Sequence, residues 1–186
     1  MVPHQVASII RHRLSRPRSW SSYLASHAAP VGNMNDKHHY LRAILLGGSI
    51  AGIIDIGAAC LITMAGPFFI LHAVASGILG RASFSGGNAS AALGGLLQLA
   101  MSIIIAAIYV AASAILPRLR ERWLPSGLVY GVIVFCVMNY VVVPLSAVGH
   151  FPHFTAISFV GNLLAMLLFG TIVALFARAP GARQYD

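Results

Sequence analysis

The sequence predicts an all-α membrane protein: four transmembrane helices in a bundle, with one further amphipathic helix at the bilayer surface. Three observations predict it. Hydrophobic residues make up 58% of the 186 positions and charged residues only 9%, where soluble domains carry about 25% charged residues. Four apolar stretches, at roughly 41–65, 89–116, 126–147 and 155–177, are each near or above the ~20 residues that cross a hydrocarbon core. Eleven of the twelve Lys and Arg residues fall on one side of the membrane that those stretches imply.

Residues 1–40 differ from the rest. Up to Asn33 they hold Arg11, Arg13, Arg16 and Arg18, many serines and no acid. Such a segment cannot bury a core and is expected to be a disordered basic tail near anionic headgroups. A transit-like segment, or a true start at Met34, are the other readings of it. No continuous apolar run followed by a small-residue cleavage site marks it as a secretory signal.

The first span opens with Gly48, Gly52 and Asp55 at i, i+4 and i+7, which share one helical face. A G-x-x-x-G spacing permits close helix approach, so Asp55 should point where helices touch. Residues 67–83, beginning at Pro67, are too short for a comfortable span. His72, Ser76, Gly80 and Ser83 fall on one face of that stretch, and Phe68, Leu71, Ala75, Ile78 and Leu79 on another. It is expected to lie at the surface, with His72 in solvent. Residues 85–90, SGGNAS, then turn into the second span.

The third span carries Gly127 and Gly131 at a small-x-x-x-small spacing, Asn139 two turns later, and Pro144 near its exit. The proline leaves the carbonyl of Tyr140 without its intrahelical donor, so a kink or a local water is expected there. The fourth span runs through Ser158, Asn162 and Ala165 to the basic end at 180–186, expected to be a short cytoplasmic tail. By the positive-inside rule, the N-terminal arginines, the Arg118, Arg120 and Arg122 loop and Arg178 with Arg183 face the cytoplasm. Arg81 is alone on the other side.

Counting about 1.5 Å per residue along each span, Asp55, Gln98, Asn139 and Asn162 come to a similar depth, roughly 17–20 Å from the cytoplasmic edge of a ~30 Å core. The four spans are thus expected to contribute Asp55, Gln98, Asn139 and Asn162 to one polar layer, with Gly48, Gly52, Gly131 and Pro144 as packing or hinge positions. Two readings of that layer stand side by side. Asp55 is an ion or proton site, since charges inside spans are costly and are directed into a bundle or an aqueous cavity. Alternatively, Asp55 and the amides satisfy one another and fix helix register without any passenger.

Known chemistry has little to work with. The phosphate-loop, nucleophile-elbow and H-E-x-x-H patterns are absent, and three of the four acidic residues lie outside the spans. His38 with His39, and His150 with His153, read as interfacial histidines rather than metal ligands. No span holds a histidine, which excludes a buried bis-histidine haem. No cofactor, no metal and no nucleic-acid partner are expected; the lipid bilayer is, with a homo-oligomer or a membrane protein as a further partner. A bundle this small should lack a substrate cavity of ~300 Å³.

The stretches GGSIAGIIDIGAA, LHAVASGILGRASFSGG, YGVIVFCVMNYVVVPLSAV and VGNLLAMLLFGTIVALFARAP resemble a group of small four-span bacterial inner-membrane proteins. The resemblance covers roughly residues 40–179 and is strongest at MNYVVVPLSA. It implies the bacterial inner membrane and a four-helix fold, and it implies no activity. The sequence therefore leads to a non-catalytic accessory or envelope-associated membrane protein, with a small proton- or cation-linked transporter or channel element acting through Asp55 as the alternative.

Overall fold

The structure, a computed structural model, describes residues 34–178, with side chains from His38 onward. Of the tail expected over 1–40, residues 1–33 lie outside the described residues, as does the tail expected at 180–186; residues 38–40 are not a disordered tail but helical, the start of the first long helix. Residues 34–37, taken by themselves, are helical. The rest is all-helical, with no strand among the described residues. Five helices are long and apolar enough to cross a membrane: α1 (His38–Thr63), α2 with its continuation (Pro67–Ser85), α3 (Gly87–Ile115), α5 (Trp123–Leu145) and α6 (Ala156–Ala177). A short α4 (Arg118–Glu121) links α3 to α5.

Four of these helices pack in alternating directions, and small residues set the contacts. A Cβ on Gly48 would lie 3.0 Å from the carbonyl oxygen of Ser102 and 3.2 Å from Cβ of Ala106, and one on Gly52 would meet the side chain of Ser102. Rising numbers on α1 meet falling numbers on α3, so the pair is antiparallel. Helices α5 and α6 are closer still. A Cβ on Gly127 would be 2.9 Å from the Gly170 carbonyl oxygen, and one on Gly170 would be 2.7 Å from the Gly131 nitrogen. Helix α1 also runs antiparallel to α6, with Gly47 on Phe176 at one end and Ile62 on Gly161 at the other. Ala43, Ala51, Ala106, Tyr109, Val173 and Ala174 belong to the buried core between them.

The outward faces are apolar. Leu61 is 78% exposed and Ile157 83%. A water-soluble bundle would place polar side chains there, whereas lipid tails are as apolar as leucine.

Helix α2 departs from expectation. It is α-helical over Pro67–Leu79 and 3-10 over Gly80–Ser85, and while Arg81 and Ser85 are exposed, two residues of its expected solvent face are covered. Ser83 is fully buried, and Nδ1 of His72 is buried without a hydrogen-bond partner. Of the expected apolar face, Phe68, Ile78 and Leu79 are exposed on the outside of the bundle and Ala75 is buried. Gly94 sets the approach: without a side chain there, α3 seats directly on the backbone of Leu71, which draws α2 in against the bundle. Because α1 and α3 are antiparallel, the end of α1 and the start of α3, which α2 joins, lie at the same end of the bundle. The amide of Ala147, just past the end of α5, donates there to the carbonyl of Gly77 in the second half of α2 (2.8 Å).

The other end gathers the basic residues. Arg120 donates to the hydroxyl of Tyr40 (2.8 Å), its guanidinium 4.9 Å from that ring's centroid, and Arg178 lies 5.6 Å from the centroid of the Trp123 ring.

The expected kink at Pro144 takes another form. A π-helical turn over Met138–Val142 precedes the proline, and the amide of Val143 bonds the carbonyl of Met138 five residues back. Widening the turn absorbs the steric demand of the proline ring upstream of it. A second π turn, Ala43–Gly47, lies in α1.

Candidate functional site

The close approach of α1 and α3 carries the only carboxylate within the five apolar helices to an amide. Gly52 sits on Ser102, and less than one turn further along α1 the Nε2 of Gln98 donates to Oδ2 of Asp55 at 2.9 Å. The hydroxyl of Ser102 returns its proton to the Gln98 carbonyl (2.8 Å), so it does not compete for the carboxylate. This local geometry follows from the sequence spacing. Gly48, Gly52 and Asp55 share a face of α1, and Gln98 and Ser102 share a face of α3.

Beside the pair is an interior cavity of about 30 Å³, lined by Asp55, Gln98 and Ser102 on its polar side and by Met101, Met138 and Met166 among its apolar walls. One water needs ~10–15 Å³ and two to four polar partners. The cavity has room for about that much and offers the carboxylate, the amide and the hydroxyl. A substrate pocket is typically ten times larger, ~300–1,000 Å³.

Asn139 and Asn162 do not join the pair by hydrogen bonds. Nδ2 of Asn139 donates to the carbonyl of Phe135 (2.9 Å), and Nδ2 of Asn162 to the carbonyl of Ser158 (2.8 Å). Each amide has turned back on its own helix. The carbonyl one turn earlier is always within reach of a short polar side chain, and with no water in the hydrocarbon region that nearby acceptor competes well against a partner on another helix. The four polar residues thus form one interhelical bond and two intrahelical ones. Ser158, expected beside Asn162 on a packing face, instead completes a capping box with Thr155 at the start of α6.

Two features were not anticipated. Gly170 with Ala174, the partner surface for Gly127 and Gly131, carries the same small-x-x-x-small signal and was readable in the sequence. The second is a lateral groove of about 500 Å³ between the end of α3, the α4 turn and the start of α5, lined by Tyr109, Arg118, Arg122, Ser126, Val129 and Ile133 among others. It corrects the expectation that so small a bundle lacks room on that scale; the room lies at the flank and not in the interior.

The histidines make no metal-like cluster. His150 and His153 stack with ring centroids 6.1 Å apart, and no group of three His, Cys, Asp or Glu side chains converges among the described residues. No family model, curated protein or solved structure matches this chain.

Proposed function

We propose that the chain is a non-catalytic integral protein of the bacterial inner membrane, an accessory or envelope-associated component, in which Asp55 serves as a register lock between helices. The observation that carries this reading is the hydrogen bond from Gln98 to Asp55 beside a cavity of only about 30 Å³. A carboxyl so placed holds α1 on α3 and has no room for a passenger larger than a water or a bare ion.

On this reading four helices cross the bilayer and α2 does not. The antiparallel pairing of α1 with α3, which leaves the two ends of the connecting α2 on one side, and the bond from Ala147 to the Gly77 carbonyl at the end of α5 support this. The gathering of Arg120 and Arg178 with Tyr40 and Trp123 at the other end supports a cytoplasmic location for that end and for both termini.

One observation favours a second reading, a proton- or cation-linked element. The cavity at Asp55 shares Ile105, Val134 and Met138 with the α3–α5 flank, which gives the carboxyl a neighbouring path outward. Two substitutions separate the readings in purified protein reconstituted into vesicles. Asp55→Asn keeps an acceptor for Gln98, and Asp55→Leu removes it. The register lock predicts that Asn unfolds close to wild type, that Leu loses about 0.6–1.7 kcal/mol, and that a pH or cation gradient decays no faster than in empty vesicles for any of the three. Gradient decay with wild type that stops in Asp55→Asn, at unchanged stability, would establish the second reading instead.

A further inference from the structure

We infer that the flank between α3 and α5 is a binding site for one anionic phospholipid, its phosphate on Arg118 and Arg122 and one acyl chain laid down the groove toward Met138. The inference rests on the membrane reading above only in requiring that the arginine end meet the bilayer surface.

The groove is continuous along the helices. The 500 Å³ segment at the basic end shares Tyr130 and Ile133 with a second of about 150 Å³, which continues past Ile108 and Val137 to Met138. From Ser126 to Met138 is about 18 Å at 1.5 Å per residue, close to the ~15 Å that one leaflet contributes to a ~30 Å core. A single chain entering at the headgroup level would therefore end near Met138. The walls suit it. Val129, Ile133, Ile108 and Val137 are all exposed on this flank.

Charge is placed at one end only. Arg118 and Arg122 line the wide mouth, together with the hydroxyl-bearing Ser126, and Glu121 of the same short helix does not. Arg120 is committed elsewhere, to Tyr40 and Ser113. The Ser126 hydroxyl donates to the carbonyl of Arg122 (2.6 Å), so the two arginines are the donors: two cations above an apolar trough match a phosphate joined to a hydrocarbon chain.

The groove persists because the two helices are held apart. The ring of Tyr109 packs on that of Tyr130 with centroids 5.0 Å apart, and the hydroxyl of Tyr130 reaches across to the carbonyl of Ile105 (2.7 Å). That bridge also limits the occupant. A helix, about 10 Å across with its side chains, cannot enter between α3 and α5 while Tyr130 spans them. A second copy laid on this flank by two-fold symmetry would bring its own arginine pair against this one.

The test is native mass spectrometry of the purified full chain in nonionic micelles, titrated with phosphatidylglycerol or phosphatidylcholine. Wild type is expected to retain one phosphatidylglycerol in preference to phosphatidylcholine. The double variant Arg118→Gln/Arg122→Gln should weaken phosphatidylglycerol by about 30-fold, or ~2 kcal/mol at 1.4 kcal/mol per decade, and leave phosphatidylcholine unchanged. Ile133→Trp, at an exposed position, should fill the trough and release both lipids. Equal retention of the two lipids by wild type, or an undiminished preference in the double variant, overturns the proposal. So does competition by glycerophosphate as effective as by the whole lipid, which would leave the chain no part in binding, and so does a dimer that Ile133→Trp dissolves. Failure of the membrane reading shows separately, as release of the chain from membranes by an alkaline carbonate wash.

Discussion

Gly170→Leu should unfold the bundle at markedly milder conditions than wild type, with a loss of about 3 kcal/mol or more. The position faces backbone on every side that matters. A Cβ there would meet the carbonyl oxygen of Gly127 and lie 2.7 Å and 2.9 Å from the nitrogen and Cα of Gly131. A clash with a flexible side chain can be relieved by a change of rotamer; a clash with helical backbone can be relieved only by moving the helix. Helices α5 and α6 would have to separate toward the ordinary 8–10 Å spacing, and Gly127, Gly131 and Ala174 would lose contact together. Within a bilayer that loss is hard to replace, because association rests on close packing rather than on a hydrophobic drive. Gly57→Leu is the matched control, since a Cβ at Gly57 meets nothing within 4 Å. It should shift stability by no more than ~0.5 kcal/mol. Denaturant or thermal unfolding in nonionic micelles measures both, and equal midpoints would refute the packing argument.

Gly94→Val is expected to act locally, and almost as strongly. A Cβ on Gly94 would strike the carbonyl of Leu71, whose carbon lies 2.7 Å from that position and whose Cα lies 3.2 Å from it. The contact fixes α2 against α3, so the substitution should cost about 1–3 kcal/mol of docking. Most of that cost should appear in residues 67–85, since Gly48, Gly52 and Gly170 hold the other helices independently. Hydrogen exchange would show it as an increase of roughly 30-fold in the exchange of those amides for a 2 kcal/mol loss, with α5 and α6 unchanged. Gly95→Val tests specificity, since its Cβ would meet only a methyl of Leu71 at 3.7 Å. If both variants exchange alike, the Gly94 contact does not hold α2.

What could be read in the sequence was the part decided by chain-local quantities. Hydropathy and length depend on composition over a window, and the stretches expected at 89–116 and 155–177 correspond to Gly87–Ile115 and Ala156–Ala177 within two residues. The facing of Gly48, Gly52 and Asp55 follows from helical geometry alone, and their common face meets α3 at Ser102 and Gln98. What could not be read was decided by competition. For Asn139 and Asn162 the rival acceptors were a side chain on another helix and a carbonyl one turn back, and only the assembled distances choose between them. For α2 the polarity of each face was legible, but the close approach at Gly94 that draws α2 against α3, where Nδ1 of His72 and the hydroxyl of Ser83 are covered, is a property of two segments at once. The lateral groove is harder still, because it arises where α3 and α5 fail to close, held apart by Tyr109 and Tyr130.

The placement of the helices in the bilayer underlies both the reading of Asp55 and the lipid site, and cysteine accessibility tests it most directly. With the two native cysteines, Cys60 and Cys136, replaced by alanine, Ser85→Cys and Arg118→Cys are labelled in intact cells by a membrane-impermeant maleimide. Four crossings with a cytoplasmic basic end predict labelling at position 85 in intact cells, and labelling at position 118 only after the membrane is opened. Labelling at 118 in intact cells with protection at 85 would mean that α2 crosses the bilayer or that the bundle is inverted, and would contradict the account.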